Sequence, residues 1–247
     1  MGLADGRPRA QLLRPLAYHR HMQTRPTSVL AALVSLVAVS ALAGCSDDSS
    51  DSAQDTAPTR SATGETCTYE PDGSQPAKKV DPPPEQATVS GDVAVSIKTN
   101  AGDIPATLDA DKTPCTVNSF VSLADQGYFD KTICHRLTTQ GIFVLQCGDP
   151  TASGSGGPGY QFPDELSGRE TYRAGTLAMA NAGANTNGSQ FFIVYGDSQL
   201  PPSYAVFGRV SAAGLKVVKD IAAKGTTNGG ADGPPKETVE ISSVTAE

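Results

Sequence analysis

From Val89 onward the chain alternates between apolar and polar positions, and the period of the alternation changes along it. Val93, Val95 and Ile97 fall on one face and Asp92, Ala94, Ser96 and Lys98 on the other, which is the signature of a half-buried strand. Asn100-Ala101-Gly102-Asp103 turns the chain, residues 104–108 alternate again, and the pair predicts a hairpin. Thr113 is an N-cap candidate, and Pro114 suits a first helical position. Val117, Phe120, Val121 and Ala124 then recur at helical spacing until Gly127 stops them. Strands are predicted over residues 132–137, 142–148, 175–179, 190–194 and 205–210. Leu215, Val218, Ile221 and Ala222 predict a second helix ended by Gly225, and residues 237–244 alternate as a final strand. The expected fold is mainly β: an eight-stranded antiparallel barrel capped by two α-helices.

The first third of the chain lacks this pattern. Residues 28–43 are apolar, with Arg25 ahead and small residues at the end, which reads as an export signal rather than a spanning helix. Leu42-Ala43-Gly44-Cys45 resembles the bacterial lipobox, which implies that Cys45 is acylated and becomes the mature N-terminus. Residues 1–44 are therefore expected to be a signal peptide, and Met22 gives a start of more usual length. Residues 45–87 are rich in Ser, Asp, Thr and Pro and predict a disordered linker, stiffened near Pro82-Pro83-Pro84. Cys67 is a residue that a purely floppy tether would not need. Residues 88–247 remain as one domain of ordinary size. The expected location is the extracytoplasmic face of the cell membrane, through a lipid anchor.

Composition narrows the chemistry. Net charge is −7 and the Lys and Arg residues are scattered, so no nucleic-acid surface is expected. His occurs at positions 19, 21 and 135 only, which argues against a multi-His metal site and leaves little scope for a His-based triad. There is no C-x-x-C pair, and the Gly-rich run from Gly154 to Gly159 lacks a following Gly-Lys-Ser/Thr. No metal and no cofactor are expected.

The most informative stretch runs Ala178-Met179-Ala180-Asn181-Ala182-Gly183-Ala184-Asn185-Thr186-Asn187-Gly188-Ser189-Gln190-Phe191-Phe192-Ile193. It reads as strand, long ordered loop, strand, because Asn and Gly accept positive φ and Asn side chains bond nearby backbone. It closely resembles the signature of the cyclophilins, a family of peptidyl-prolyl isomerases. Cys134-His135-Arg136, the run from Phe143 to Asp149, and Ala205-Val206-Phe207-Gly208-Arg209-Val210 agree with that family in the same order. The resemblance covers residues 88–247.

It implies rotation about X-Pro amides in proline-containing polypeptides. That reaction makes and breaks no covalent bond; its barrier of roughly 18–20 kcal/mol is lost amide resonance. A catalyst needs a pocket for the ring, a grip on the flanking peptide and a positive group near the twisting amide. By resemblance, Arg136 is the electrophile, and Phe143, Val144, Phe192 and Leu200 build the proline pocket, with Tyr204 beside it. Gln146 bonds substrate backbone, Ala180, Asn181, Ala182 and Gln190 line a groove, and Gly154 sits on its rim. His135 alternates with Arg136 and should point away from the pocket.

The chain departs from the family in four places. Val144 replaces the usual Met, two extra residues separate Arg136 from Phe143, Gln199 falls where many relatives carry Trp, and Tyr204 falls where a pocket His is frequent. The last two imply weak cyclosporin binding. A monomer is expected. The competing reading is a non-catalytic proline-peptide-binding or chaperone lipoprotein; retention of Arg136, Phe143 and Gln146 favours the enzyme. With Cys45 acylated, Cys67, Cys115, Cys134 and Cys147 remain for disulfides in three possible pairings. Strand parity favours Cys115–Cys147 with Cys67–Cys134.

Overall fold

The computed structural model describes residues 64–247. In chain order the elements are β1 (Glu70–Pro71), β2 (Asp92–Thr99), β3 (Gly102–Asp109), α1 (Pro114–Asp125), β4 (Thr132–Ile133), β5 (Arg136–Thr138) and β6 (Phe143–Cys147). Then come β7 (Tyr160–Gln161), β8 (Thr176–Met179), β9 (Phe191–Gly196), β10 (Val206–Val210), α2 (Ala212–Ala223), β11 (Asp232–Gly233) and β12 (Glu240–Ala246).

Ten strands form one antiparallel sheet in the order β11-β5-β6-β9-β8-β10-β3-β2-β12-β4, and β1 pairs separately with β7. The predicted strand over residues 132–137 breaks at Cys134-His135. Its first half, β4, pairs with β12 at one edge, while its second half, β5, pairs with β6 and β11 near the other. Two residues thus carry the chain between the two ends of the sheet and draw them together. The ladder stays open there among the described residues, so the barrel is a curled half-barrel of ten strands; the antiparallel, mainly β, two-helix architecture is as read from the pattern.

The interior face collects Val93, Val95, Ile97, Ile104 and Leu108 from the first hairpin, with Val117, Phe120 and Val121 from α1. Phe120 is ringed by Phe129, Phe191 and Phe207 at centroid separations of 5.0–5.4 Å. Strands β8 and the first four residues of β9 are buried on both faces, which is why their sequences read as continuous apolar runs. Thr113 occupies the N-cap of α1, but its side chain makes no capping bond. Glu165, from a distant loop, accepts instead from the backbone N–H groups of Cys115 (3.0 Å) and Thr116 (2.8 Å), placing a carboxylate at the positive end of the helix.

Residues 64–87 are packed on the domain and do not form the expected linker. Cys67 is buried and disulfide-bonded to Cys115. The Tyr69 hydroxyl donates to the Cys115 carbonyl at 2.8 Å, and its ring meets Tyr160 and Phe162 edge-on. The Lys78 ammonium donates to the carbonyls of Gly127 (2.8 Å) and Asp130 (2.9 Å) just beyond α1. Composition missed this strap because little of it is apolar; a covalent bond and borrowed backbone partners hold it. Residues 45–63, the leader 1–44 and Cys45 lie outside the described residues.

The second disulfide joins Cys134 to Cys147, so both pairings differ from the parity argument. Strand alternation does not carry through Cys134-His135, where strand geometry is interrupted. The interruption lets Cys134 turn inward, and both sulfur-bearing residues are buried.

Candidate active site

Strand register builds the site. Arg136 pairs with Gln146, Gln146 with Phe192, Phe192 with Ala178, and Ala178 with Val206. Residues directly opposite across a sheet share a face, so this row projects to one side. Their sequence neighbours Leu145, Cys147, Leu177, Met179, Phe191 and Ile193 fill the main core on the other side. The row's own face carries a second apolar cluster of Val144, Tyr172, Ala178, Phe192 and Val194. The site therefore sits outside the half-barrel, on a patch that is itself a small core.

A cavity of about 140 Å³ opens on that patch, lined by Arg136, Ile142, Val144, Gln146, Ala180, Asn181, Phe192, Leu200 and Tyr204. A groove of about 400 Å³ adjoins it, sharing Gln146, Ala180 and Asn181 and adding Gly154, Ala182 and Gln190. Phe143, expected in the pocket, is elsewhere. Its ring meets Tyr195 edge-on at 5.9 Å, in a depression shared with the end of α2. Alternation from Gln146 through Val144 puts Phe143 on the opposite face, and the register shift beside it places the extra residue on β9. Ile142 supplies the apolar wall instead.

A single polar chain spans the mouth. The Asp232 carboxylate accepts from Arg136 Nε (2.9 Å) and Nη2 (2.7 Å). Arg136 Nη1 donates to Gln146 Oε1 (3.2 Å), and Gln146 Nε2 donates to Gln190 Oε1 (2.9 Å). Gln190 Nε2 then donates to the carbonyls of Gly154 and Gly156, each at 3.0 Å. The hydrogen bond that Arg136 donates to Asp232 raises the Arg136 pKa, and the same contact lowers that of Asp232. The guanidinium is therefore fully charged and held in one plane. Asp232 escaped the sequence reading because it lies 96 residues from Arg136, on a two-residue strand with no pattern of its own.

The rim is organised by Asp149, whose side chain is fully buried. It accepts from the backbone N–H groups of Thr151 (2.7 Å), Gly154 (2.7 Å) and Gly156 (3.0 Å) and from the Thr151 hydroxyl (2.7 Å). Burial pushes its pKa up, but the Thr151 hydroxyl and these backbone donors outweigh burial, and the net direction is down. Gly156 has to be glycine: a Cβ there would stand 2.0 Å from Asp149 Oδ1. The opposite rim is fixed by Ala180 N–H to the Gln190 carbonyl (2.9 Å), Asn181 Nδ2 to the Ser203 carbonyl (2.9 Å) and Asn185 at φ 61°, the positive-φ Asn that the loop reading called for. His135 lines neither cavity and lies beneath Gly154. Burial lowers its pKa, against a smaller raising influence from Asp149.

Tyr204 forms the far wall, its ring edge-on to Phe192 at 5.5 Å, with its backbone held at both N–H and C=O by the Tyr172 hydroxyl at 3.0 Å. The arrangement is an apolar cavity with one fixed cation and one fixed amide at its lip. It can seat a small apolar ring and polarise a neutral polar group attached to it.

The curled antiparallel half-barrel with this arginine-edged cavity on its outer face is shared with known proteins of one family. Residues 94–246 match the family model for cyclophilin type peptidyl-prolyl cis-trans isomerase/CLD, and the chain belongs to that family. It is 49% identical over 196 residues to the probable peptidyl-prolyl cis-trans isomerase B of Mycobacterium leprae and 50% identical over 196 residues to that of Mycobacterium tuberculosis. Those alignments cover 73% of this chain and 66% and 64% of the relatives, so the chain spans just under two thirds of their lengths. The cyclophilin type isomerase of Cryptosporidium parvum superposes with a TM-score of 0.56 at 32% identity, covering 63% of this chain and 98% of that one. A second structure of that protein, in the presence of the dipeptide Ala-Pro, gives a TM-score of 0.55.

Proposed function

We propose that this chain is an exported, lipid-anchored peptidyl-prolyl cis-trans isomerase that speeds X-Pro rotation in extracytoplasmic proteins. The observation that carries this reading is Arg136, held charged at the lip of the 140 Å³ apolar cavity and in register with Gln146 and Phe192. The proline ring would sit against Phe192, Val144, Leu200 and Ile142. Gln146 would hold the substrate backbone. As the amide twists, its nitrogen becomes pyramidal and its carbonyl loses conjugation, and the Arg136 guanidinium bonds the twisted amide more strongly than the planar one. A contact stronger in the transition state than in the ground state is the condition for catalysis. The test is isomer exchange in a short Ala-Pro peptide followed by NMR: exchange well above the uncatalysed rate is expected, and a rate equal to the blank refutes the assignment.

Export and anchoring rest on the sequence of residues 22–45 and are supported by the two disulfides, which suit an oxidising compartment. One acyl chain gives only marginal membrane binding, so two or three on Cys45 are expected. Cys45→Ala should accumulate as unlipidated precursor, and partition of the wild type into the aqueous phase after detergent extraction would exclude the anchor.

A further inference from the structure

The groove beside the cavity has a wall that comes from outside the matched family residues. Asp72, just after β1, reaches the groove from the N-terminal strap, and among the described residues it is the only charged side chain lining it. The remainder of the lining is amide, hydroxyl, small apolar or backbone. Asp72 is also well fixed. The Cys67–Cys115 disulfide anchors the strap five residues upstream, β1 pairs with β7, the Asp72 N–H donates to the Gly159 carbonyl (3.2 Å), and the Ala77 N–H donates to the Gly157 carbonyl (2.8 Å). Its Oδ1 accepts from the Ser74 N–H (2.7 Å) and hydroxyl (2.6 Å). Its Oδ2 has no hydrogen bond among the described residues and lies 3.8 Å from where a Cβ on Gly157 would stand, at the groove wall.

A neutral groove with one oriented carboxylate oxygen is matched by a cationic side chain. The groove and the proline cavity share Gln146, Ala180 and Asn181, so one extended peptide can occupy both. At about 3.3 Å per residue, a side chain within four residues of the proline falls along the groove. We infer that Asp72 makes the protein selective for substrates with a lysine or arginine at one such position, on the side of the proline that lies in this groove. The inference rests on the isomerase reading above. Asp72 is exposed, so the attraction is that of charges in a high dielectric: about threefold to sixfold in kcat/KM for Lys over Ala at low ionic strength. Salt should shrink the effect.

The experiment uses the full-length chain and a single-proline alanine peptide with Lys, Ala or Glu placed singly at each of four positions on either side. Expected is a Lys-over-Glu preference confined to one side, reduced toward unity in Asp72→Asn, inverted in Asp72→Lys and weakened by salt. A wild-type ratio near one at every position overturns the inference, as does a preference that Asp72→Asn leaves intact. Failure to turn over the all-alanine peptide at all would count against the isomerase reading instead. Dissociation constants of the same peptides by NMR titration then decide Asp72 on binding alone.

Discussion

Asp232 offers the sharpest test of how the site works. The Arg136 and Asp232 side chains are 40% and 53% exposed, and an ion pair that open contributes about 0–1 kcal/mol to stability. Asp232→Ala should therefore leave the melting temperature almost unchanged. Its effect on turnover should be larger, because the guanidinium would keep only its 3.2 Å bond to Gln146. An arginine side chain carries about 2 kcal/mol of rotamer entropy, and releasing half to all of it before each turnover costs about 1–2 kcal/mol at the transition state. That is roughly a five- to thirtyfold fall in kcat/KM. Arg136→Ala removes the donor itself and should cost about 2.7–4 kcal/mol. Since Asp232 acts only through Arg136, the double variant should be no slower than Arg136→Ala alone. Asp232→Asn, which keeps an acceptor without the charge, should fall between wild type and Asp232→Ala. NMR exchange of an Ala-Pro peptide gives the rates and thermal melting gives the stabilities. Full activity in folded Asp232→Ala, or losses that simply add in the double variant, would refute the positioning role.

The two disulfides should differ in what they hold. Closing 48 residues, Cys67–Cys115 should contribute about 4 kcal/mol on the loop-entropy model, and Cys134–Cys147, closing 13, about 3 kcal/mol. Paired Ser substitutions followed by denaturant unfolding check this, and equal, negligible losses would contradict it. Cyclosporin should inhibit weakly, because Gln199 offers no broad apolar wall beside Leu200; Gln199→Trp should tighten inhibition while changing peptide turnover much less. If the natural protein already binds the drug as tightly as that variant, the wall argument is wrong. Acid should destabilise the domain in two stages. His135 has a folded pKa below its unfolded one, so the unfolded chain binds the extra proton and stability falls as pH drops through the ordinary histidine range. Asp149 is also lowered, so its contribution is present above the ordinary carboxylate range and is lost only at lower pH, through its folded pKa. Melting temperatures from pH 7.5 to 5.5 should fall in the wild type and stay flat in His135→Asn; an identical slope in both would remove His135 as the cause.

Periodicity located the hairpin β2–β3, both helices and the strands β6, β8, β9, β10 and β12 to within a few residues, because each buries a face that the side chains must match. The motif residues Arg136, Gln146, Phe192 and Asn181 were legible for a related reason: their types and order are tied to one chemistry. Three things were decided only when the chain closed on itself. The place of Phe143 beside Tyr195 was set by a register shift against β9, a property of two strands, although alternation from Gln146 and Val144 already turns it away from the pocket. Cys134 found Cys147 because the chain breaks between β4 and β5 to reach the other end of the sheet, which local parity cannot see. Glu165 at the start of α1, Asp232 on Arg136 and the strap of residues 64–87 on the rim are contacts across 48 to 96 positions, made by residues whose local pattern is that of loops. Local sequence dictates which face of an element is apolar. Which polar group meets which, once those faces are buried, depends on the route of the whole chain.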